Sequence, residues 1–222
     1  MNTIANIADR PVPRLRSAHR GAFGRTAGTV AWLVLAATVG LLLVVTPAQS
    51  SERVGFGEKV YDPVSGRYFE MVAATLGDSI RGSGFRAVGW PRAADNARNM
   101  SHNGVQGRLA VVDSQHIHDF LLRTFWPHQA VWIGLRYWCQ INRLQWVTGD
   151  VVTRGSFSSW GLDWAHRGDT IPGTSPSRPP CDASNRFWPV HYWPVQQGFV
   201  WNANETFKEL GAYIVEYPTG KP

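Results

Sequence analysis

The chain has 222 residues, 44% hydrophobic and 17% charged, with 22 Lys and Arg against 16 Asp and Glu and a formal net charge of +6. That length suits one domain of ordinary size, or one domain plus an appendage, and 11 tryptophans at so low a charge density exclude a disordered polyelectrolyte. The basic excess is also lopsided: residues 1–50 hold five arginines and one acid, leaving 17 basic and 15 acidic groups in 51–222, too balanced for a phosphate-tracking stripe, so no nucleic-acid partner is expected.

The five arginines, Arg10, Arg14, Arg16, Arg20 and Arg25, make residues 1–26 a basic lead, and no charge follows from Thr26 to Ser51. Ala27–Val45 is almost wholly apolar, and its nineteen residues as a helix reach about 28 Å, close to the ~30 Å hydrocarbon core. Segment 27–46 is therefore expected to span the inner (cytoplasmic) membrane once, with the N-terminus cytoplasmic and the remainder periplasmic or extracellular. Two fates stay open. The run is longer than the usual apolar region of a signal peptide, which favours an uncleaved anchor. Ala48-Gln49-Ser50, however, offers small residues for cleavage before Ser51, which would release the domain as a secreted protein. Residues 47–66, with Gly55, Gly57, Pro63 and Gly66, lack sustained periodicity and read as a linker.

Arg67–Val72 reads as a first strand, since Tyr68 and Phe69 favour extended backbone. After the glycine-rich stretch Gly77–Gly89, Pro91 suits the first turn of a helix running to about Met100, with Trp90, Ala94, Ala97 and Met100 near one face. Leu109–Val112 follows as a short buried strand. Ser114 then caps a second helix to about Phe125, with Ile117, Phe120, Leu121 and Phe125 inward, and Pro127 stops it. Val131–Leu135 and Leu144–Val147 are strand candidates, the second closed by Thr148-Gly149-Asp150. Roughly fifty residues of Gly-, Pro-, Ser- and Trp-rich loop precede a last strand, Ala212–Tyr217. A loop that long is expected to be a functional element and must fold back to shelter Trp160, Trp164, Trp188, Trp193 and Trp201.

The run from Arg67 to Pro218 resembles a C-type lectin-like domain of the bacterial kind. Arg67-Tyr68-Phe69-Glu70 is similar to that family's opening strand, and Trp90 with Ala93, Ala94 and Ala97 to its first helix. Gly107 to Ser114 resembles the turn and strand that enter its second helix. Trp132-Ile133-Gly134-Leu135 matches its most recognisable motif, followed by Leu144-Gln145-Trp146-Val147-Thr148-Gly149. Phe157-Ser158-Ser159-Trp160 resembles its next aromatic strand end, Trp201-Asn202 the start of its Trp-Asn-Asp signature, and Ala212–Tyr217 its final strand. The resemblance implies an α+β fold over residues 67–218: two helices flanking a small antiparallel sheet, a long folded loop, and first and last strands paired. It also implies Trp132, Trp146 and Trp201 as core.

The calcium-dependent sugar binders of this family take oxygen ligands from an acid–Pro–amide tripeptide and from the Asn-Asp of the signature. Here the signature reads Trp201-Asn202-Ala203, and the loop prolines stand in Ile171-Pro172-Gly173 and Ser177-Arg178-Pro179-Pro180. Calcium asks for 6–8 oxygens, so no metal and no other cofactor is expected, unless Asp163, Asp169, Asp182 or Glu205 rebuilds a site. Val215 and Thr206 stand where many animal members carry cysteine. Cys139 and Cys181 lie elsewhere; in an oxidising compartment they could pair and pin the long loop, the alternative being two unpaired thiols.

No residue pattern supports catalysis. The chain lacks a Gly-x-Ser-x-Gly elbow, a His-Glu-x-x-His pair and a phosphate-cradling glycine loop, and His116 and His118, two apart on a helix, read as surface residues. The functional candidate is the aromatic run Phe187–Pro194. It is either a recognition surface or a satellite core beneath the loop. On the first reading Trp188, Tyr192 and Trp193, with Asn202, contact the ligand. The expected function is then a membrane-anchored, extracytoplasmic, calcium-independent module that recognises a glycan or a protein. The alternative is an accessory subunit of a larger membrane complex, docked through this domain and its apolar helix.

Overall fold

The computed structural model describes residues 53–80, 84–153, 155–161, 181 and 186–218. The basic lead, segment 27–46, and the loop residues Trp164, Asp163, Asp169 and Asp182 lie outside the described residues. Among the described residues no helix is long and apolar enough to cross a membrane.

The chain enters through a hairpin, β1 (Lys59–Asp62) and β2 (Arg67–Ala73), paired from Lys59↔Glu70 to Asp62↔Arg67. This corrects the reading of 47–66 as linker throughout. An edge strand with one neighbour shows no apolar alternation, and a capped turn fixes it in place. The Asp62 carboxylate accepts from Val64 N and Ser65 N, both at 3.2 Å, and Gly66 takes φ 68°, where glycine is favoured. Next come β3 (Val88–Gly89) and α1 (Trp90–Asn99), with Pro91 in its first turn and Trp90, Ala93, Ala94 and Ala97 buried. A small hairpin, β4 (Ser101–His102) and β5 (Val105–Gln106), leads to β6 (Arg108–Leu109). The strand expected over Leu109–Val112 is thus shorter, although Ala110, Val111 and Val112 are buried. Then α2 (Gln115–Phe125) begins at Ser114, whose Oγ accepts from Ile117 N at 3.3 Å.

The remaining strands are β7 (Val131–Trp138), β8 (Arg143–Trp146), β9 (Phe187–Tyr192), β10 (Trp201–Ala203), β11 (Glu209–Leu210) and β12 (Ala212–Tyr217). The main sheet runs β1-β2-β12-β7-β9-β10, with β6 added to β12 and β8 to β7; β11 pairs with β3. The α+β arrangement implied by the resemblance is therefore present, with Tyr68↔Tyr217 and Met71↔Ile214 joining first and last family strands. Another expectation fails. The aromatic run is not loop: β9 lies inside the sheet between β7 and β10. Pro189, which cannot donate to a ladder, concealed this, and it stands where the β7–β9 register shifts between Trp132↔His191 and Arg136↔Pro189.

Side chains alternate between two cores. Phe69, Ile133, Leu135, Trp146, Tyr192, Trp201 and Ile214 pack with α2, while Leu109, Trp132, Tyr213 and Val215 pack with α1. Trp132, Trp146 and Trp201 are core, as expected. Two indoles lock α1 to the sheet: Trp90 Nε1 donates to Ile133 O at 2.7 Å, and Trp132 Nε1 to Val88 O at 2.8 Å.

Cys139, one residue past β7, is bonded to Cys181, 42 residues on in sequence. By the chain-entropy account a closed loop of that length stabilises by about 3–4 kcal/mol. Replacing both by serine is expected to lower the urea midpoint accordingly. A second outcome concerns Gly134, where a Cβ would stand 2.6 Å from Leu109 O and 3.0 Å from Ala110 O. Both obstacles are backbone and cannot turn aside, so Gly134→Ala is expected to cost about 1–3 kcal/mol in the same measurement.

Candidate functional site

Strands β9 and β10 pair Tyr192↔Trp201, His191↔Asn202 and Val190↔Ala203, so all four residues first singled out for ligand contact fall in or beside one ladder. Two of them are interior. Trp188 is 8% exposed and Tyr192 0%. The Tyr192 ring lies flat on Phe199, centroids 3.9 Å apart, and its hydroxyl is 2.8 Å from His118 Nδ1. Burial pushes its phenol well above the ordinary value. The recognition-surface reading of Trp188 and Tyr192 is therefore corrected: alternate residues of this interior strand, Trp188, Val190 and Tyr192, face the α2 core. Trp193 and Asn202 keep partial exposure, Trp193 edge-on to the His191 ring at 4.8 Å.

His191 organises this corner. Its Nδ1 donates to Tyr192 O at 3.0 Å, which leaves Nε2 to accept from Asn202 Nδ2, also at 3.0 Å. The ring is wholly buried, and burial above all, reinforced by the charge of Lys208, pulls it down to about 4 against the opposing effect of the Tyr192 bond. His116 and His118 are not both surface residues. His116 Nε2 meets the buried Asp62 carboxylate at 2.9 Å, and His118 packs among Phe157, Tyr192 and Phe199.

Calcium does not fit here. Where the family has its second signature ligand, Ala203 presents a methyl group that is 6% exposed and cannot coordinate, and the neighbouring Asn202 amide is engaged by His191. Among the described residues no group of three His, Cys, Asp or Glu could hold a metal ion.

A different face has the character of a binding site. Past Leu135 the outward positions of β7 are Arg136 and Trp138, both half-buried. Arg136 pairs with Gln145 on β8 and Pro189 on β9, and Trp138 with Arg143 and Phe187, so these residues share one side of the sheet. The guanidinium carbon sits 4.3 Å from the Trp138 ring centroid, 5.1 Å from Trp90 and 5.8 Å from Phe187. Burial, then repulsion from Arg98, lowers Arg136 from its ordinary value. Beside it a groove of about 220 Å³ is lined by Trp138, Gln140, Ile141 and Gln145. Sequence reasoning missed Arg136 and left Trp138 unassigned. The signal available was period two: Arg136 and Trp138 flank the inward Tyr137.

No family model matches the chain. Over 93 residues, 42% of this chain, it is 36% identical to Halomucin from Haloquadratum walsbyi, and the match spans 1% of that protein's length. Three solved structures to which it is similar are C-type lectins or their recognition domains. The C-type carbohydrate-recognition domain of cow CD23 shares 17% identity, with 74% of this chain and 96% of that one covered, at TM-score 0.45. C-type lectin CEL-I from Cucumaria echinata shares 13%, with 68% and 89% covered, at 0.44. The calcium-independent C-type lectin SPL-2 from Saxidomus purpuratus shares 17%, with 69% and 88% covered, at 0.43.

The His191 environment generates a pH dependence. In the unfolded chain the ring protonates near its ordinary 6.5, in the folded one at about 4. Between these values the unfolded state binds more protons, so stability falls as pH falls through that window, by up to about 3 kcal/mol at its lower end. The melting temperature is expected to drop from pH 7 to pH 4.5, with a shallower slope in His191→Gln.

Proposed function

We propose that this chain is a membrane-tethered, extracytoplasmic recognition module of C-type lectin-like fold that binds glycan without calcium. The observation that carries the reading is Ala203: the position from which the family's metal-dependent members supply a carboxylate holds a buried methyl group opposite Val190. Binding without metal must then rest on side chains alone. The disulfide from Cys139 to Cys181 supports an oxidising compartment, and so does the charge pattern around segment 27–46. Binding rather than catalysis is supported by the buried ionisable groups of the described region, each tied to structural partners. Glu216 is held by Arg67, Arg108 and Val111 N, and Asp62 by its own turn and His116.

A second reading, an accessory subunit of a larger membrane assembly, is favoured by one observation. Ile80 and Phe85, at 74% and 70% exposure, and Phe207, at 55%, lie around the short β3–β11 ladder, Phe85 and Phe207 lining one cleft. Apolar surface of that kind suits protein docking.

Two measurements on the full chain in detergent test the proposal. Millimolar calcium and chelator are expected to give the same melting temperature. A ligand at a hundredfold excess over its Kd stabilises by about 2.7 kcal/mol, a shift of several degrees in a domain of this size, so such a rise with calcium would sink the metal-free reading. On a glycan array in chelator, retention of a glycan subset is expected, whereas retention of none would hand the chain to the second reading.

A further inference from the structure

The reading above leaves the ligand's chemistry open, and the β7–β8–β9 face constrains it. Among the described residues the Arg136 side chain makes no hydrogen bond and no ion pair. Its Nε is sealed from solvent without an acceptor, and so is Trp138 Nε1 beside it; the two Nη atoms are not sealed and also carry no acceptor. A half-buried guanidinium is normally matched by a carboxylate or by carbonyls, because leaving donors unmet costs free energy. At Arg67 and Arg108 that rule is obeyed: Arg67 meets Asp113 and Glu216, and Arg108 meets Glu216. Arg98, whose charge acts on Arg136, is balanced by Asp95.

The rings explain why Arg136 is held in position regardless. Trp90, Trp138 and Phe187 surround the flat guanidinium, and cation–π attraction stabilises the charge without using its in-plane N–H groups. A fork held among rings, with its two Nη atoms unsealed and unused, is preorganised for a planar anion that accepts two parallel hydrogen bonds. The groove next to it adds a half-exposed indole, suited to the apolar face of a sugar ring, the amide of Gln140, and the Oε1 of Gln145, whose Nε2 donates to Gly149 O at 2.8 Å; these suit hydroxyl groups.

We propose that this face is a binding site for an acidic sugar, its carboxylate on the Arg136 fork, its ring against Trp138 and its hydroxyls on Gln140 and Gln145. The inference rests on the glycan-binding reading and specifies where and what that module binds. The ligand is a carboxylated pyranose, either free or as a residue of a glycan chain. Arg143, exposed and opposite Trp138 in the ladder, adds long-range attraction at the rim.

The test uses the full chain in detergent with nitrogen-15 tryptophan, following the indole N–H signal of Trp138, assigned by its loss in Trp138→Phe. Sodium glucuronate, methyl glucoside and acetate are titrated in parallel. Glucuronate is expected to shift that signal saturably, and methyl glucoside and acetate each to bind at least about tenfold more weakly. Arg136→Gln should weaken glucuronate by about tenfold or more, with Arg136→Lys, which keeps the charge but not the fork, falling between. Should Arg136→Gln not fold, the Lys variant and the comparison of sugars on the unaltered chain decide. Equal response to glucuronate and methyl glucoside, no response to any of the three, or unchanged affinity in the Arg136 variants overturns the inference. Array binding in chelator that survives such a result leaves the module reading standing, while an empty array removes both. A terminal uronate bound on the array with free glucuronate giving the same Trp138 shift supports the site for either source.

Discussion

The structure depends on burying β7 on both faces. This strand lies between β12 and β9, with β8 also paired to it, and every residue from Val131 to Leu135 is buried. A two-sided strand cannot show the polar alternation of a surface sheet, so something must cover each side. The α2 core covers the Val131, Ile133 and Leu135 side, and α1 covers Trp132. Close cover imposes its own demands. Gly134 has no room for a Cβ against the backbone of Leu109 and Ala110, and Gly107 none against Ala97 O, at 2.7 Å. The alanines of α1 serve the same closeness. Trp90 and Trp132 each solve a second problem by sending an indole N–H to a carbonyl across the interface, so that no donor is stranded there.

Cover ends where α1 begins. Trp90 is the helix's first residue, and beyond it the outward positions of β7 are Arg136 and Trp138 rather than further apolar groups. The same indole that closes the core thus forms one wall of the aromatic frame around Arg136. Charge elsewhere is absorbed internally. Glu216 is fully buried, and although burial raises its pKa against the pull of Arg108 and Arg67, the two guanidiniums and Val111 N bind β2, β6 and the segment after β6 to the last strand through it. Glu70, also buried, joins Lys59 to the Tyr217 hydroxyl. With these carboxylates committed, an unmatched cation on the β7 face is a property of that face and not of a generally basic domain.

Much of this was legible from residue order. Helix α1 was marked by Pro91 and its alanines, α2 by Ser114 and its 3.6-residue apolar spacing, and β12 by its continuous β-forming run. The pairing of β2 with β12 followed only from the resemblance, because pairing across about 140 residues leaves no local trace. What stayed hidden had physical causes. Strand β1 is an edge with one neighbour and no apolar stripe. Strand β9 carries Pro189, admitted only because the ladder shifts register there. Reading that run as loop made Trp188 and Tyr192 look like ligand contacts, when both, with Val190 between them, face the α2 core. Arg136 escaped because a guanidinium among aromatics becomes conspicuous only when its missing partner can be seen, and absence of a partner is a property of three-dimensional neighbours.

The disulfide sits where it bears most on that face. Cys139 directly follows Trp138, and its N–H donates to Arg186 O, the residue before Phe187. The bond therefore anchors the chain at the open end of the β7–β9 ladder, where two of the three rings around Arg136 are presented. The hydrophobic cores do not need it there: Trp132, Ile133 and Tyr192 are fully enclosed by their own packing. A partly exposed ring frame has less burial to hold it, and a covalent tie beside it restricts the separation of Trp138 and Phe187 at no cost in apolar surface. On the proposed metal-free reading, rigidity at this end of the sheet must come from the chain itself. Cross-link, aromatic frame and unmatched guanidinium lie within a few residues of one another, which is the arrangement the proposed metal-free recognition surface requires.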